Sequence, residues 1–364
     1  MRSVLFCVIL QSPAYTGENI ELKEVSRTVA LAVKIQLTNE CNLRCYYCMR
    51  RRNDLLGRPT PRISEEYGNV ERWLRECPDL GIKLAELTGG DPSLWSKKDA
   101  DGQDGLQKIL SLCKEELEIF TLLPLSAKGL CDSLTRQGGK DLLSLPGLLR
   151  ISVHDEPRNR GESLKTVAKA LESTVEFRPK GETQLGVILV PGANGNLQQE
   201  LLKPILALAE ESLAPILPIP VFDTWQNEEK VGFNELWSII ATEQQDVLDW
   251  FVRQPIVLPQ GTDKVAFLLN GGNNLDSTNC KAAEAVATID NGRLFGPCGR
   301  LKGSIIPIRE SFAEALSSAE WLNCIKQSGT LDGCDRCIFN CGNVMGTLSR
   351  DTSPAEQLEA FCTM

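Results

Sequence analysis

From about residue 30 the chain alternates short apolar runs with stretches whose apolar positions recur every three or four residues, the pattern of strands each followed by a covering helix. Six strands are read at Val33 to Thr38, Ile82 to Thr88, Leu117 to Leu123, Leu149 to His154, Gln184 to Val190 and Ile216 to Phe222. Helical spacing fills the gaps over 63–76, 105–116, 126–136, 163–172 and 197–213. Strands alternating with helices predict an α/β fold, a partial (β/α)6 TIM-like barrel over residues 30–222, with its chemistry at the C-terminal ends of the strands. The pattern breaks at the polar stretch 223–230, so residues 223–254 read as a linker and a helix over 233–253. From 255 to 346 the composition shifts toward Gly, Asn and Cys, with a hairpin turn at Asp290-Asn291-Gly292, and a small cysteine-rich second unit is expected there. Residues 1–29 read as an N-terminal extension and 347–364 as a tail.

Composition narrows the chemistry. With 42% hydrophobic residues in 364, the chain has enough apolar side chain for a sizeable core. A net charge of -9 supplies no field that would draw it to nucleic acid or to an anionic membrane, so neither is expected as a partner. There are 14 cysteines and one histidine, His154, which excludes a histidine pair or a His-rich metal site and leaves thiolates to carry the function. The apolar run VLFCVIL near the N-terminus has no small-residue cleavage site behind it and is far shorter than the roughly 20 residues that span a bilayer. A cytoplasmic protein is expected, in which closely spaced cysteines hold metal rather than pair.

The segment LTNECNLRCYYCM places Cys41, Cys45 and Cys48 as C-x3-C-x2-C directly after the first strand. A closed zinc site wants four ligands, whereas a [4Fe-4S] cluster held by three thiolates keeps one iron open. A zinc site with a distant fourth ligand is the competing reading. The motif resembles the signature loop of the radical SAM superfamily, in which the open iron binds S-adenosylmethionine and reductive cleavage yields a 5'-deoxyadenosyl radical. The resemblance covers residues 30–222 and implies further cofactor contacts. Tyr47 takes the aromatic position beside adenine. Gly89 and Gly90 let backbone approach the methionine ammonium, with Asp91 in place of the commoner Glu as its acceptor. Ser152 and Asp155, at the end of the fourth strand, reach ribose or carboxylate, and Asn194 follows the fifth strand near adenine. His154 is either a hydrogen-bonded strand-end residue or a catalytic group at the barrel mouth.

A second set, Cys280, Cys298, Cys334, Cys337 and Cys341, resembles the SPASM or twitch extensions that follow many such barrels. That resemblance implies a C-terminal auxiliary-cluster domain. Cys280, Cys298, Cys334 and Cys337 supply the four ligands of one auxiliary [4Fe-4S] cluster, with Cys341 able to replace either of the last two. Adding Cys324 and Cys362 brings the total to seven and leaves a second cluster open, although one cluster is the favoured count. Cys324 is also a candidate core residue and, third, a hydrogen-atom donor. Cys7, Cys77, Cys113 and Cys131 read as small buried hydrophobes.

These resemblances imply an oxidoreductase-type radical SAM enzyme that takes hydrogen from a peptide and leaves a crosslink, an oxidised residue or an epimer. A dehydrogenase or epimerase of an aminoglycoside or other carbohydrate is the alternative; the short stretch before the first strand, too small for a leader-recognition domain, favours it. A non-catalytic zinc scaffold is the reading from another class. The partners expected are a peptide or small-molecule substrate and an electron donor such as flavodoxin or ferredoxin.

Overall fold

A computed structural model of the chain describes residues 30–43, 45, 47–48, 63–135, 139–154, 163–190, 197–221, 224–226, 229–231, 243–258, 282–295, 305–327 and 353–362. Six parallel strands lie side by side in chain order: β1 (Ala32–Thr38), β2 (Leu84–Gly89), β3 (Phe120–Ser126), β4 (Leu148–Val153), β5 (Thr183–Leu189) and β6 (Ile216–Pro220). The connecting helices are α1 (Tyr67–Glu76), α2 (Gly105–Ser111), α3 (Ala127–Leu134), α4 (Gly139–Ser144), α5 (Leu164–Phe177) and α6 (Gln199–Ser212). This is the expected α/β partial barrel. Alternation decides its two faces: Val33, Ile35 and Leu37 of β1 pack into the core beneath the helices, while Lys34, Gln36 and Thr38 turn to the other face, the barrel lumen. The helices answer with buried residues at three- and four-residue spacing, such as Val70, Trp73 and Leu74 of α1 and Leu202, Ile205, Leu206 and Ala209 of α6.

Three boundaries differ from the pattern. α1 starts at Tyr67 instead of Ile63 because Ile63 and Glu65 pair with the end of β1, through Asn39 N to Ile63 O (3.0 Å) and Glu65 N to Leu37 O (2.8 Å). β3 starts at Phe120 instead of Leu117 because the chain leaves α2 through a wide turn over Leu112–Glu116 and reverses at Glu118, whose φ is 52°. The polar stretch after β6 forms a small antiparallel hairpin, β7 (Thr224–Gln226) with β8 (Glu229–Val231), inside the expected linker. Of the helix expected over 233–253, α7 (Gln245–Val252) is described.

An open barrel leaves two unpaired strand edges, and both are covered. At β6, Ile216 N donates to Ile256 O (2.9 Å) and Leu258 N to Ile216 O (2.8 Å). At β1, the cysteine-rich unit supplies the cover: α8 (Ala282–Ala285) leads into β9 (Val286–Asp290), which runs parallel to β1 from Ala32↔Val286 to Gln36↔Asp290. β10 (Arg293–Phe295) returns antiparallel, and β11 (Ile305–Pro307) adds the last strand of a nine-stranded sheet. Asn291 and Gly292, at φ of 53° and 64°, make the tight turn expected there. α9 (Phe312–Leu316) and α10 (Ala319–Gln327) follow.

The stretch read as a tail is a helix, α11 (Pro354–Cys362). Ser353 and Glu356 form a reciprocal cap: Glu356 N donates to Ser353 Oγ (3.3 Å) and Ser353 N to Glu356 Oε2 (2.9 Å). Leu358, Phe361 and Cys362 pack on Ala32, Leu84, Phe120, Leu122, Leu148 and Val286, near the N-terminal ends of the strands, so α11 floors the barrel. Phe361 meets Phe120 edge-on at 6.5 Å.

Candidate functional site

The three-cysteine loop leaves β1 at the barrel mouth and returns at Ile63, and its neck is tied shut. Asn39 N donates to Ile63 O, and Ile63 N donates back to Asn39 Oδ1 (2.9 Å). Thr38 Oγ1 donates to Ile63 O (3.2 Å) and accepts from Glu40 N (3.2 Å). The end of β2 is pressed against this neck: Gly90 N donates to Thr38 O (2.6 Å) and Asp91 N to Glu40 O (2.7 Å). A Cβ on Gly89 would collide with Thr38 O, and one on Gly90 with Glu40 O. In the structure these glycines let two pieces of backbone meet, a reason separate from the cofactor approach expected of them.

Asp91 is a correction. It was expected to face the methionine ammonium, but it is 1% exposed and turned into the protein. Its Oδ1 accepts from Ser93 N (3.0 Å) and Ser93 Oγ (2.6 Å), and its Oδ2 accepts from Ser126 Oγ. Ser126 Oγ in turn accepts from Gly129 N (2.9 Å), capping α3. A carboxylate held by three donors buttresses the glycine turn from below.

Within the loop, Cys45 is buried and Cys41 and Cys48 are half-buried. Cys48 N donates to Cys45 O (3.1 Å), turning the chain between these two sulfurs, and Leu43 N points at Cys41 Sγ (3.4 Å). Among the described residues no three His, Cys, Asp or Glu side chains gather around one metal-ion position. A backbone N–H aimed at sulfur and a turn holding two cysteines suit thiolate ligands of a cluster or of a single ion alike, and three sulfurs in one loop would fit a [4Fe-4S] cluster that keeps one iron open. His154 follows β4 and closes the mouth over the loop: its Nδ1 lies 3.0 Å from Tyr47 Oη and 3.5 Å from Cys45 Sγ, and its ring stacks on Tyr47 with centroids 6.3 Å apart. Burial pushes its pKa down to about 4. Ser152 lies one layer below, between Ser126 and Gly186 in register.

Beneath the mouth the lumen is polar. Lys34 Nζ pairs with Glu86 (2.9 Å), and buried Arg150 donates from Nε to Gln184 Oε1 (2.7 Å) and from Nη2 to Cys362 O on the floor. The sequence reading missed this layer. The signal was available: charged and amide residues inside parallel strands, which are ordinarily near-continuous apolar runs.

Cys324 and Cys362 are not brought to the mouth. Cys362 is buried in the floor, at the opposite end of the strands from Cys41. Cys324 is buried on α10, which packs against α8 ahead of the N-terminal end of β9, on the floor side, so it is not placed to give hydrogen to a radical at the mouth. Cys77 and Cys113 are buried, as expected of small hydrophobes, and burial raises both thiols, Cys113 to about 12, whereas Cys131 is half-buried with its Sγ 3.9 Å from Thr166 O, and Cys7 lies outside the described residues. Asp155, Asn194, Cys280, Cys298, Cys334, Cys337 and Cys341 lie outside the described residues.

A parallel barrel whose mouth carries a three-cysteine loop clamped to a glycine turn is an architecture that would hold an iron-sulfur cluster with a small cofactor beside it. Residues 35–202 match the Radical SAM superfamily, whose cofactors are a [4Fe-4S] cluster and S-adenosylmethionine. Relatives include the GTP 3',8-cyclase of Clostridium perfringens, 41% identical over 61 residues, which are 16% of this chain and 18% of that protein. The GTP 3',8-cyclase of Helicobacter pylori strain HPAG1 is 25% identical over 66% of this chain and 70% of its own length. The chain thus spans under a fifth of the length of the first of these relatives. The fold is shared with Streptococcus suis SuiB bound to S-adenosylmethionine, at a TM-score of 0.58 and 14% identity over 91% of this chain and 78% of that one. It is shared also with anSMEcpe with bound AdoMet, at 0.56 and 13% over 92% of each. Among the described residues no helix is long and apolar enough to cross a membrane.

Proposed function

We propose that the chain is a radical SAM enzyme that takes a hydrogen atom from a peptide held in the barrel lumen. The bound cluster and S-adenosylmethionine supply a hydrogen-abstracting carbon radical, with the electron coming from a donor such as flavodoxin or ferredoxin. Cys41, Cys45 and Cys48 hold three irons. Tyr47, Ser152 and the Gly89-Gly90 backbone line the cofactor side, Asp155 and Asn194 follow the ends of β4 and β5 in sequence to complete it, and Asp91 acts from beneath. Cys280, Cys298, Cys334 and Cys337, with Cys341 as substitute, ligate one auxiliary cluster. The β9–β10 hairpin supports this by returning the chain to the level of residue 288 by residue 295.

The observation that carries the substrate class is in the lumen. Gln184 Oε1 is fixed as an acceptor because Arg150 can only donate, which leaves the buried Gln184 Nε2 as a donor with no partner among the described residues. Gln36 Oε1, a buried acceptor, is likewise unpartnered there. A peptide group brings the complementary C=O and N–H, and a related fold, SuiB, has been solved bound to the precursor peptide SuiA. A second reading follows from the cyclase relatives. Among the described lumen residues, however, Lys34 is already paired with Glu86, and Arg150 is buried and committed to Gln184 and Cys362, so neither is presented as a triphosphate clamp.

Anaerobically reconstituted protein, reduced with dithionite and given S-adenosylmethionine, is expected to form 5'-deoxyadenosine, and the C41A/C45A/C48A variant none. Adding GTP is expected to leave that rate unchanged. Stimulation by GTP with a cyclised nucleotide product would replace the peptide reading by the second, and loss of 5'-deoxyadenosine altogether would end both.

A further inference from the structure

The one histidine of the chain sits within reach of a cluster ligand, and nothing in the proposed hydrogen abstraction uses it as an acid or base. We propose that in the loaded protein His154 donates its Nδ1–H to Cys45 Sγ and so favours the reduced cluster, a positioning residue that sets the potential at which the site works. The inference rests on the reading of Cys41, Cys45 and Cys48 as cluster ligands.

The geometry leaves two arrangements. Nδ1 lies between Tyr47 Oη at 3.0 Å and Cys45 Sγ at 3.5 Å. A neutral imidazole carries one N–H. With the proton on Nε2, Nδ1 accepts from the Tyr47 hydroxyl and gives nothing to the sulfur. With the proton on Nδ1, it donates to the sulfur, and the Tyr47 hydroxyl, which can accept as well as donate, adjusts by rotation. A ligating thiolate has no proton and can only accept, and it is buried, where a donor to an anion counts for most. Loading therefore selects the second arrangement. Each electron added to the cluster increases the negative charge on its sulfurs, so the hydrogen bond is stronger in the reduced state, and hydrogen bonds to cluster sulfurs are among the terms that set the potential. His154 follows the end of β4, whose Ser152 and Val153 are paired in the sheet, and the Tyr47 ring lies near-parallel to the imidazole, 12° apart, with its hydroxyl 3.0 Å from Nδ1.

The single histidine makes the test site-specific, since 15N-histidine labels this ring alone. In the reduced wild-type holoprotein, pulsed electron-nuclear double resonance is expected to show 15N coupling to the cluster together with an exchangeable proton lost in deuterium oxide. Potentiometric titration extends the result. His154→Phe keeps a ring against Tyr47 but has no donor, and its reduced-to-oxidised ratio at a fixed potential is expected to fall about tenfold, or about 59 mV for one electron. His154→Gln keeps an N–H and is expected to retain most of the wild-type ratio. A normal cubane signal without 15N coupling overturns the His154 assignment and leaves the cysteine reading standing. A wild-type potential in fully loaded His154→Phe, or an equal shift in both variants, overturns it too. Failure of the wild type to assemble a cubane removes the cysteine reading itself, and the inference with it.

Discussion

Gly90→Ala tests whether the glycine turn serves backbone contact. The added Cβ would meet Glu40 O, lie 2.6 Å from Glu40 C and 2.7 Å from Asn39 O, all backbone atoms of the cluster-loop neck. Neither side can yield cheaply. The β2 end is anchored through Asp91 to Ser93 and Ser126, and the neck is pinned by the Asn39–Ile63 bonds. Separating them breaks Gly90 N to Thr38 O and Asp91 N to Glu40 O. Two net backbone hydrogen bonds at about 1 kcal/mol each, with residual steric strain of about 1–3 kcal/mol, give about 3–5 kcal/mol against the native loop. At 1.4 kcal/mol per tenfold, even the lower figure raises the displaced-loop population by about a hundredfold. Iron and sulfide per chain after reconstitution, with circular dichroism as a control, should show the barrel kept and the mouth cluster lost. A variant that loads iron at the mouth as the wild type does would refute the clash argument.

Two further perturbations probe the floor and the hairpin mounting. Phe361→Ala removes a fully buried ring from the floor and its edge contact with Phe120, and should lower unfolding stability in urea by about 3–5 kcal/mol; a loss under about 1 kcal/mol would mean α11 is not packed there. Glu65 accepts from Gly292 N (2.9 Å), tying the cluster-loop return to the hairpin turn, and desolvation raises its pKa above 4.5. The folded state then holds a proton that the unfolded state has lost, so this group's contribution falls as pH rises from 4.5 through the folded pKa. Glu65→Gln keeps the acceptor and should abolish that slope in urea titrations across pH 4 to 7, whereas Glu65→Ala should cost about 1–3 kcal/mol for the deserted N–H; an unchanged slope in the Gln variant would sink the assignment.

What the sequence made legible was what depends on local pattern. The β1, β4 and β5 strands alternate cleanly, and Cys41-x3-Cys45-x2-Cys48 and Asn291-Gly292 are short-range signals whose meaning does not wait on distant residues. The start of β3 was misjudged by three residues because Leu117 looks like strand sequence, while the left-handed Glu118 behind it leaves no mark. Asp91 misled for a different reason: the direction of its carboxylate is decided by Ser126, which the fold brings from the next strand. α11 was legible and missed, since Ser353-Pro354-Ala355-Glu356 ahead of Leu358 and Phe361 is a helix start with a capping pair and a proline at the first position. The joining of β9 to β1 could not be read at all, because it answers an edge that exists only once the barrel is left open.

That last pairing bears on how the two cysteine sets relate. Because β9 runs parallel to β1, its N-terminal end, which Cys280 precedes in sequence, points away from the loop that carries Cys41, Cys45 and Cys48. At about 3.3 Å per residue, the seven residues of β1 put the two ends of the sheet about 20 Å apart. The polar lumen occupies that interval. Glu65 on Gly292, and Glu76 accepting from Ser311 Oγ (2.7 Å) and Ala313 N (2.8 Å), fasten the second unit to the return of the cluster loop and to α1. On the proposed reading, the spacing between the mouth cluster and the auxiliary cluster is therefore a dimension of a continuous hydrogen-bonded sheet, with a substrate in the lumen between them.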